Sequence, residues 1–157
     1  MKLKIKVKLL NPNNKLEIHG DWIDLIAENG LKYKANEDVH INLGVAMKLP
    51  DGFEAIVAPR SSLYIKKHLL LTNSIGVIDN AYNGNTDYWQ ANFRSTQDGT
   101  IIKGERIVQF RIQLSQKATI WQKIKWLFST GIQLEYVDIL SSINRGGIGS
   151  TNGYIND

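Results

Sequence analysis

The amino-acid sequence predicts an all-β protein, and three features support this fold class. Apolar residues alternate with lysines from Leu3 to Leu9, which is the period of a half-buried strand with its lysines in water. Turn-forming residues recur along the chain at 11–14, 50–52 and 98–99. Strands do not alternate with helices, and no glycine-rich motif of the P-loop type is present. Turns at this spacing indicate a sandwich or a barrel.

The runs between the turns predict the individual elements. Strand-like composition predicts six further strands, at 40–49, 53–58, 69–78, 86–94, 100–102 and 106–114. Alternating apolar residues predict a last strand, carried by Ile132, Leu134, Tyr136 and Ile139. A short helix is expected at 61–68. A longer helix is expected at 119–128, where apolar residues recur every three to four positions.

Composition limits the class of protein. The chain has 157 residues, of which 43% are hydrophobic, so one domain with a substantial core is expected. No apolar run has membrane-spanning length and no signal-peptide core is found, which predicts a cytoplasmic protein with no membrane partner. The lack of cysteine excludes disulfides, thiolate catalysis and cysteine zinc sites. The three histidines have no ligand-like spacing, which argues against a histidine metal site.

The net charge of +4 favours an anionic partner, which could be a nucleotide or a nucleic acid. The lysines near the N-terminus alternate with apolar residues, so we interpret them as the wet face of a strand. Direct contact with nucleic acid is therefore not expected.

The segment Gly76–Gly84 carries the clearest chemical signal. Val77 and Ile78 predict the end of a buried strand, and the asparagines and glycine that follow predict a hairpin turn. Such a turn would present Asp79 and Tyr82 at the mouth of a hairpin. A carboxylate placed there can act as a general base, and an aromatic ring can stack on a ligand.

Four further segments accompany this one in a fixed order, at Asp21–Ala27, Pro59–Leu63, Gly104–Gln109 and Arg145–Thr151. Together the five resemble the five sequence motifs of the trimeric deoxyuridine triphosphate nucleotidohydrolases (dUTPases). The resemblance spans nearly the whole chain. It implies a jelly-roll-like β-clip barrel with one short helix and an inserted helix, assembled as a homotrimer with shared active sites. The small size and the insertion suit a phage or bacterial member.

The resemblance also implies two regions and a reaction. Residues 1–144 would form the β domain, with an insertion at about 117–134, and residues 145–157 would form a glycine-rich, flexible C-terminal arm. The reaction would be hydrolysis of dUTP to dUMP and pyrophosphate, in the host cytoplasm if the protein is viral. Asp79 would assist the attack of water on the α-phosphate. Mg²⁺ would be the cofactor, held mainly by the triphosphate and by water with no direct protein ligand.

The resemblance assigns substrate contacts to several positions. Tyr82 would lie beneath the deoxyribose and exclude a ribose 2′-hydroxyl. Asn73 would read the uracil edge, since an amide both donates and accepts. Backbone groups of nearby residues, including Gly76 and Ile78, would form the remaining contacts with the uracil edge. The phosphates would be bound by Arg60, Ser61, Ser62 and Gln109. Asp24 and Arg106 would support these residues, with Arg106 tied to a carboxylate.

The arm would close over the nucleotide of a neighbouring site. Arg145 would bring a positive charge to the phosphates, and Ile148, Gly149 and Ser150 would lie against the substrate. Ile148 stands where the family usually has a phenylalanine that stacks on uracil, so the contribution of the arm to affinity is open. Asn85 replaces an acid that is common after the glycine of the third motif, and Asp21, Trp22 and Ile23 replace small residues before Asp24.

Two other functions remain open at the sequence level. A deoxycytidine triphosphate deaminase shares the fold but needs a catalytic glutamate just after the third motif, where residues 85–89 contain none. A regulatory protein could use the insertion at 119–128 to bind a protein partner. In that insertion we expect Lys123 and Lys125 to face water, and we expect the close pair Trp121 and Trp126 to be buried, for which a subunit contact is one option.

Overall fold

The computed structural model describes residues 1–141, and these residues are mostly β. The strands are β1 (Leu3–Leu9), β2 (Ile23–Ile26), β3 (Leu31–Tyr33), β4 (Asp38–Asn42), β5 (Val45–Lys48), β6 (Phe53–Pro59), β7 (Leu69–Leu71), β8 (Gly76–Ile78), β9 (Gln90–Ser95), β10 (Gly99–Ile101), β11 (Arg106–Leu114) and β12 (Ile132–Tyr136). The helices are α1 (Leu63–Lys67) and α2 (Ile120–Leu127). The all-β prediction, with one short and one inserted helix, is confirmed. The predicted boundary at 144 and the arm at 145–157 lie outside the described residues.

The strands form small sheets around one core. The sheet β2-β11-β6-β8 positions the candidate site, and β4-β9-β7, β12-β1-β5 and β10-β3 complete the fold. The pairings are antiparallel except that of β1 with β12, which is parallel. The largest fully buried side chains include Trp89 and Phe110, whose rings meet edge to face with centroids 5.2 Å apart.

The first strand follows the predicted alternation. Leu3, Ile5 and Val7 are buried, whereas Lys4 and Lys6 between them are exposed. Burying one side of the strand and solvating the other satisfies both kinds of side chain. The solvent-exposed side of β1 is therefore sufficient to explain its lysines, without an anionic partner.

Two predicted strands are each divided in the structure. The run at 40–49 is broken between β4 and β5 at Gly44, whose φ of +67° lies in the left-handed region. The run at 69–78 is broken between β7 and β8, where Ser74 has a φ of +59°. Strands β2 and β3 were not predicted. They are short, and only their pairing with β11 and β10 makes them strands.

The predicted hairpin after Ile78 is wrong. Strand β8 pairs with β6, whereas the next strand, β9, pairs with β4 and β7 in another sheet. Residues 79–89 therefore connect two sheets and do not turn the chain back on itself. The asparagines and glycine do form turns there, but local turn residues do not fix which sheet the next strand joins. Strand β8 lies at the edge of its sheet, and Val77 is 58% exposed, so this strand end is only partly buried in the described chain.

Helix α2 is confirmed, and within the described single chain its two tryptophans differ in burial. Thr119 and Gln122 form a capping box at the N-terminus of α2. Trp126 is half-buried and packs edge to face against Phe53, with ring centroids 5.3 Å apart. Trp121 is 76% exposed, because it lies on the opposite side of the helix. Lys123 and Lys125 are exposed, as expected. Neither helix of the described chain is long enough to cross a membrane.

Candidate functional site

A cluster of charged side chains lies at one end of the sheet β2-β11-β6-β8. Asp24 Oδ1 pairs with Arg60 Nε at 3.0 Å, and Asp24 Oδ2 pairs with an Nη atom of Arg106 at 3.4 Å. The Asp24 side chain is 16% exposed and that of Arg60 is 36% exposed. Among residues 1–141, Asp24 is the acidic partner of both arginines. One carboxylate therefore neutralises part of the charge of two guanidinium groups at the solvent boundary.

The register of the sheet brings these residues together. Gln109 on β11 lies opposite Asp24 of β2 on one side and opposite Ala58 of β6 on the other. Arg60 follows directly after β6, and its N–H donates to the carbonyl of Ile107 at 3.2 Å. The C-terminal ends of β2 and β6 therefore lie beside the N-terminal end of β11. The polar side chains at these three ends lie at one edge of the sheet.

Gln109 and the two serines complete this end of the sheet. The Gln109 side-chain amide donates to the Pro59 carbonyl at 3.3 Å. Ser61 is exposed and Ser62 is the N-cap residue of α1, but the Ser62 hydroxyl makes no capping bond to the helix. The structure thus groups Arg60, Ser61 and Ser62 with Gln109 and the two supporting residues predicted from the sequence.

Asp79 begins the connection between β8 and β9, and its side chain is exposed. Its Oδ1 accepts the Ala81 N–H at 2.7 Å, and its carbonyl accepts the Tyr82 N–H at 3.0 Å. This turn holds one carboxylate oxygen against the backbone. The other oxygen, Oδ2, accepts no hydrogen bond from the described residues.

Tyr82 is half-buried and held by its hydroxyl. The phenol donates to the Tyr88 carbonyl at 3.2 Å. Burial raises the pKa of Tyr82, and the nearby Asp87 carboxylate raises it further. Asp87 is only 2% exposed and accepts the Gly84 N–H at 2.7 Å. The phenol therefore stays protonated at neutral pH, and the ring keeps one orientation.

The predicted uracil-reading residues lie just before Asp79. Asn73 is exposed in the turn between β7 and β8, and its carbonyl accepts the Ile75 N–H at 2.6 Å. Gly76 starts β8, and a Cβ there would lie 3.2 Å from the Val57 Cβ, so the backbone of β8 approaches β6 closely. Ile78 is partly buried against the core.

The two groups of predicted residues lie far apart within one chain. Ile78, next to Asp79, pairs with Ala55 near the start of β6, whereas Arg60 follows the end of β6. At ~3.3 Å per residue, this places the backbone of Asp79 and that of Arg60 at least about 16 Å apart. The first group is the charged cluster around Arg60. The second group contains the carboxylate of Asp79 and the ring of Tyr82.

The described residues contain no group of three or more histidine, cysteine, aspartate or glutamate side chains that could hold a metal ion. Asp24, the acid of the charged cluster, is already paired with two arginines. Four further predicted contacts, at Arg145, Ile148, Gly149 and Ser150, lie outside the described residues.

Comparison with known proteins assigns the family. The dUTPase family model matches residues 22–126. A curated relative, the SPbeta prophage-derived deoxyuridine 5′-triphosphate nucleotidohydrolase of Bacillus subtilis (strain 168), is 42% identical over 153 residues, which is 95% of this chain and 98% of the relative. The chain belongs to the dUTPase family. The resemblance found in the five motifs is thereby confirmed.

Solved structures agree with this dUTPase assignment. The dUTPase of Streptococcus mutans is 27% identical, has a TM-score of 0.63, and is matched over 69% of this chain and 94% of its own. A dUTPase mutant from phage phi11 of S. aureus, described with a structural Mg(II) ion, is 18% identical with a TM-score of 0.61. This match covers 74% of our chain and 94% of the phage chain. At 18% identity, the likeness to the phage phi11 structure shows similarity of fold alone.

Two residues that hold the loop of the candidate site were missed by sequence reasoning. Asp87 fixes the turn after Gly84, and the carbonyl of Tyr88 anchors the Tyr82 hydroxyl. An aspartate three residues after a turn glycine is a usable signal for Asp87, because short acidic side chains bond to nearby backbone. The role of Tyr88 had no signal in the sequence, since it acts through its carbonyl group.

Proposed function

We propose that this protein hydrolyses dUTP to dUMP and pyrophosphate. The observation that carries the proposal is the placement of Asp79: an exposed carboxylate at the end of β8, with one oxygen fixed by the Ala81 N–H and the other directed at no described donor. Membership of the dUTPase family supplies the substrate class.

In the proposed reaction, Asp79 orients a water molecule and accepts its proton. A carboxylate oxygen can accept a hydrogen bond from water. The water oxygen forms a bond to the α-phosphorus, and the bond from that phosphorus to the bridging oxygen of pyrophosphate breaks. Because Oδ1 is held by the turn, the carboxylate keeps one orientation, and positioning contributes as much as basicity.

The nucleoside would be recognised by the segment before and after Asp79. The Tyr82 ring, fixed by the bond from its hydroxyl to the Tyr88 carbonyl, would lie under the deoxyribose. Asn73 and the backbone of Gly76 and Ile78 would pair with the uracil edge. A cytosine would present a donor where uracil presents an acceptor, so it would be rejected.

The triphosphate would be bound by the charged cluster. Arg60 engages Asp24 through Nε, and its two Nη atoms would donate to phosphate oxygens. Gln109 and the hydroxyls of Ser61 and Ser62 would add neutral donors. Arg145, Ile148, Gly149 and Ser150 would close the site from the C-terminal arm.

We further propose that the protein acts as a homotrimer with shared active sites. The separation of about 16 Å between Asp79 and Arg60 along β6 supports this, because a base must lie within about 3 Å of the water that it activates. A second copy that brings its Asp79 to the Arg60 cluster would close this gap. The exposed edge strand β8, with Val77 58% exposed, offers apolar surface for such a contact.

Mg²⁺ fits this site as a partner of the substrate. The described residues offer no cluster of acidic side chains, and Mg²⁺ in phosphate-transfer sites is commonly held by substrate phosphates and water with few protein ligands. When bound, the ion would neutralise charge on the triphosphate. A cytoplasmic location stays a prediction.

The test is pyrophosphate release from dUTP, dCTP, dTTP and UTP with magnesium, comparing the full-length protein with Asp79→Asn. We expect release from dUTP alone, reduced by about 10²-fold to 10⁴-fold in Asp79→Asn while dUTP still binds. A matched control is Asp138→Asn, an exposed acid after β12. Release of ammonia from dCTP would instead indicate a deaminase, and absence of any dUTP turnover would contradict the proposal.

A second candidate function, binding of a protein partner, is favoured by the outer face of α2. Ile120, Ile124 and Leu127 follow the spacing of one helix side, and Trp121 and Phe128 lie beside them. Their exposed fractions range from 38% for Ile124 to 77% for Leu127. The opposite side of α2 packs on the domain through Trp126.

Charge indicates the kind of partner. Lys123 and Lys125 flank the apolar face on either side, and residues 115–134 contain no acidic residue. Two copies meeting through this face would bring like charges together. We therefore propose a different protein, with an apolar groove bordered by acidic side chains.

This second proposal is tested by placing a photo-crosslinking residue at position 121 of the full-length protein in host cells. The crosslinked protein is then purified and its affinity measured for wild type, Trp121→Ala and Lys125→Glu. We expect both variants to lose binding by at least about tenfold, while dUTP turnover changes by less than about twofold. Crosslinks only between copies of this chain, or equal affinity for all three proteins, would contradict the proposal.

A further inference from the structure

A salt bridge joins the C-terminal end of α1 to the turn before β11. Lys67 is the last residue of α1, and its Nζ lies 2.8 Å from Glu105 Oε1. The two side chains are 21% and 28% exposed. The same ammonium group donates to the Thr100 carbonyl at 2.9 Å. Because the pair is partly withdrawn from water, dissolved salt screens it less than it screens a fully exposed ion pair.

Both members of this salt bridge are also held by the surrounding chain. Glu105 Oε2 accepts the Ile102 N–H at 3.0 Å, and the Glu105 carbonyl accepts the Ala27 N–H at 2.9 Å. On the other side of the bridge, the Tyr33 hydroxyl donates to the Lys67 carbonyl at 2.7 Å. The salt bridge therefore connects two anchored stretches of backbone, and so it fixes how far apart they lie.

Helix α1 and the residues before it are held at two points by residues 105–107. Before the helix, the Arg60 N–H donates to the Ile107 carbonyl at 3.2 Å. At the end of the helix, Lys67 is held by the salt bridge. Residues 61–62, which are proposed to bind the phosphates, lie between these two points. Their position relative to β11 is therefore set from both sides.

We propose that Lys67 and Glu105 form a positioning pair, which sets the separation between the α1 side and the β11 side of the phosphate-binding region. The α1 side carries residues 61–62, and the β11 side carries Gln109. A phosphate chain has to contact both sides at once, so its binding depends on their separation. The effect on turnover rests on the dUTP hydrolysis proposed above, whereas the effect on phosphate binding does not require turnover.

Binding of the nucleoside should not depend on this pair. The residues proposed to contact the nucleoside, Asp79 and Tyr82, lie in the loop after β8. That loop is held by its own bonds, from the Ala81 N–H to Asp79 and from the Tyr82 hydroxyl to the Tyr88 carbonyl. Loss of the salt bridge should therefore weaken binding of a phosphate chain and leave binding of a nucleoside unchanged.

The test compares four full-length proteins: wild type, Lys67→Met, Glu105→Gln and the double variant. Calorimetry measures the Kd of inorganic tripolyphosphate and the Kd of deoxyuridine. We expect each single variant to raise the Kd for tripolyphosphate and the KM for dUTP by about tenfold. The Kd for deoxyuridine and the kcat should change by less than about twofold, because saturating dUTP itself holds the two sides in place.

The double variant should match the single variants within about twofold, since both substitutions remove the same interaction. Lys66→Met is the matched control, because Lys66 is an exposed residue in the same last turn of α1. It removes one positive charge from the same helix end and spares the salt bridge, so its constants should equal those of wild type. Lys67→Arg should keep the Kd for tripolyphosphate within about threefold, because a guanidinium group also pairs with a carboxylate.

Several results would overturn the inference. One is a Kd for tripolyphosphate that is unchanged in Lys67→Met or is raised equally in Lys66→Met. Others are equal weakening of deoxyuridine and tripolyphosphate binding, additive effects in the double variant, or no binding of tripolyphosphate to wild type. If wild type binds tripolyphosphate but does not turn over dUTP, the proposed function fails on its own, and the Kd values still decide the role of the pair.

Discussion

Asp24 and Arg60 form an ion pair of 3.0 Å, although the strands that position them, β2 and β6, are not neighbours in the sheet. Asp24 lies on β2 and Arg60 follows β6, and β11 runs between them. The second oxygen of Asp24 reaches Arg106 at 3.4 Å. Asp24 therefore fixes the guanidinium group of Arg60 from across a strand, which is the arrangement expected of a residue that orients a phosphate-binding arginine.

The first prediction concerns this pair. Asp24→Asn should lower kcat/KM for dUTP by about tenfold to a hundredfold, because a small misplacement of Arg60 weakens the alignment of the triphosphate. Pyrophosphate release measures the effect. Asp38→Asn is the control, since Asp38 forms a similar 3.0 Å pair with Arg94 on an exposed face of another sheet. Equal losses of kcat/KM in Asp24→Asn and Asp38→Asn would show that Asp24 acts only through its charge and does not position Arg60.

The second prediction follows from the raised pKa of Tyr82. Burial, and then Asp87, favour the neutral phenol in the folded protein. This stabilisation is fully present below the ordinary tyrosine pKa of about 10 and is lost as the pH rises through the higher pKa of the folded state. The free energy of unfolding should therefore fall less steeply above about pH 10 in Tyr82→Phe than in wild type.

Urea unfolding at a series of alkaline pH values measures this slope. The Tyr82→Phe protein should also be less stable at neutral pH by about 1 kcal/mol, because the bond to the Tyr88 carbonyl is lost. Tyr64→Phe, at an exposed tyrosine of α1, serves as control. If Tyr82→Phe keeps the wild-type slope, the loss of stability at alkaline pH arises from other groups.

The third prediction separates the two tryptophans of α2. Trp126→Ala should destabilise the protein by about 2–3 kcal/mol, because Trp126 packs against the fully buried Phe53. Trp121→Ala should change stability by less than about 0.5 kcal/mol, since its ring is exposed. Thermal unfolding of both variants measures the difference. Comparable destabilisation by Trp121→Ala would mean that its ring is buried in the assembled protein.

The fourth prediction concerns the contact between α2 and the turn before β6. Gly52 has a φ of +84°, and a Cβ there would collide with the Gln122 side chain. Gly52→Ala should lower stability by at least about 1–2 kcal/mol from the backbone conformation alone, with a further loss from the collision. Because Gln122→Ala also loses its bond to the Thr119 N–H, the double variant is compared with Gln122→Ala alone, and against that background Gly52→Ala should cost only the first part. Thermal unfolding of the single and double variants tests this, and full recovery would mean that backbone strain is absent.

The sequence was sufficient for the elements whose patterns are local. Alternation in β1 predicted its buried and exposed faces, and the apolar spacing of 119–128 predicted α2 to within a residue at each end. These features depend on neighbouring side chains of the same element. The short strands β2 and β3 were not predictable, because four or three residues carry too little pattern until a partner strand pairs with them.

The sequence by itself also determined which chemistry is present: the acid Asp79, the ring of Tyr82 and the guanidinium group of Arg60, in motifs whose order identified the family. Only the tertiary structure decided how they are arranged. It replaced the expected hairpin by a connection between sheets, joined Arg60 to Asp24 across β11, and placed Asp79 at the opposite end of β6. The reason is physical: residue types and turns are local properties, whereas strand pairing is settled by the burial and hydrogen bonding of the whole chain.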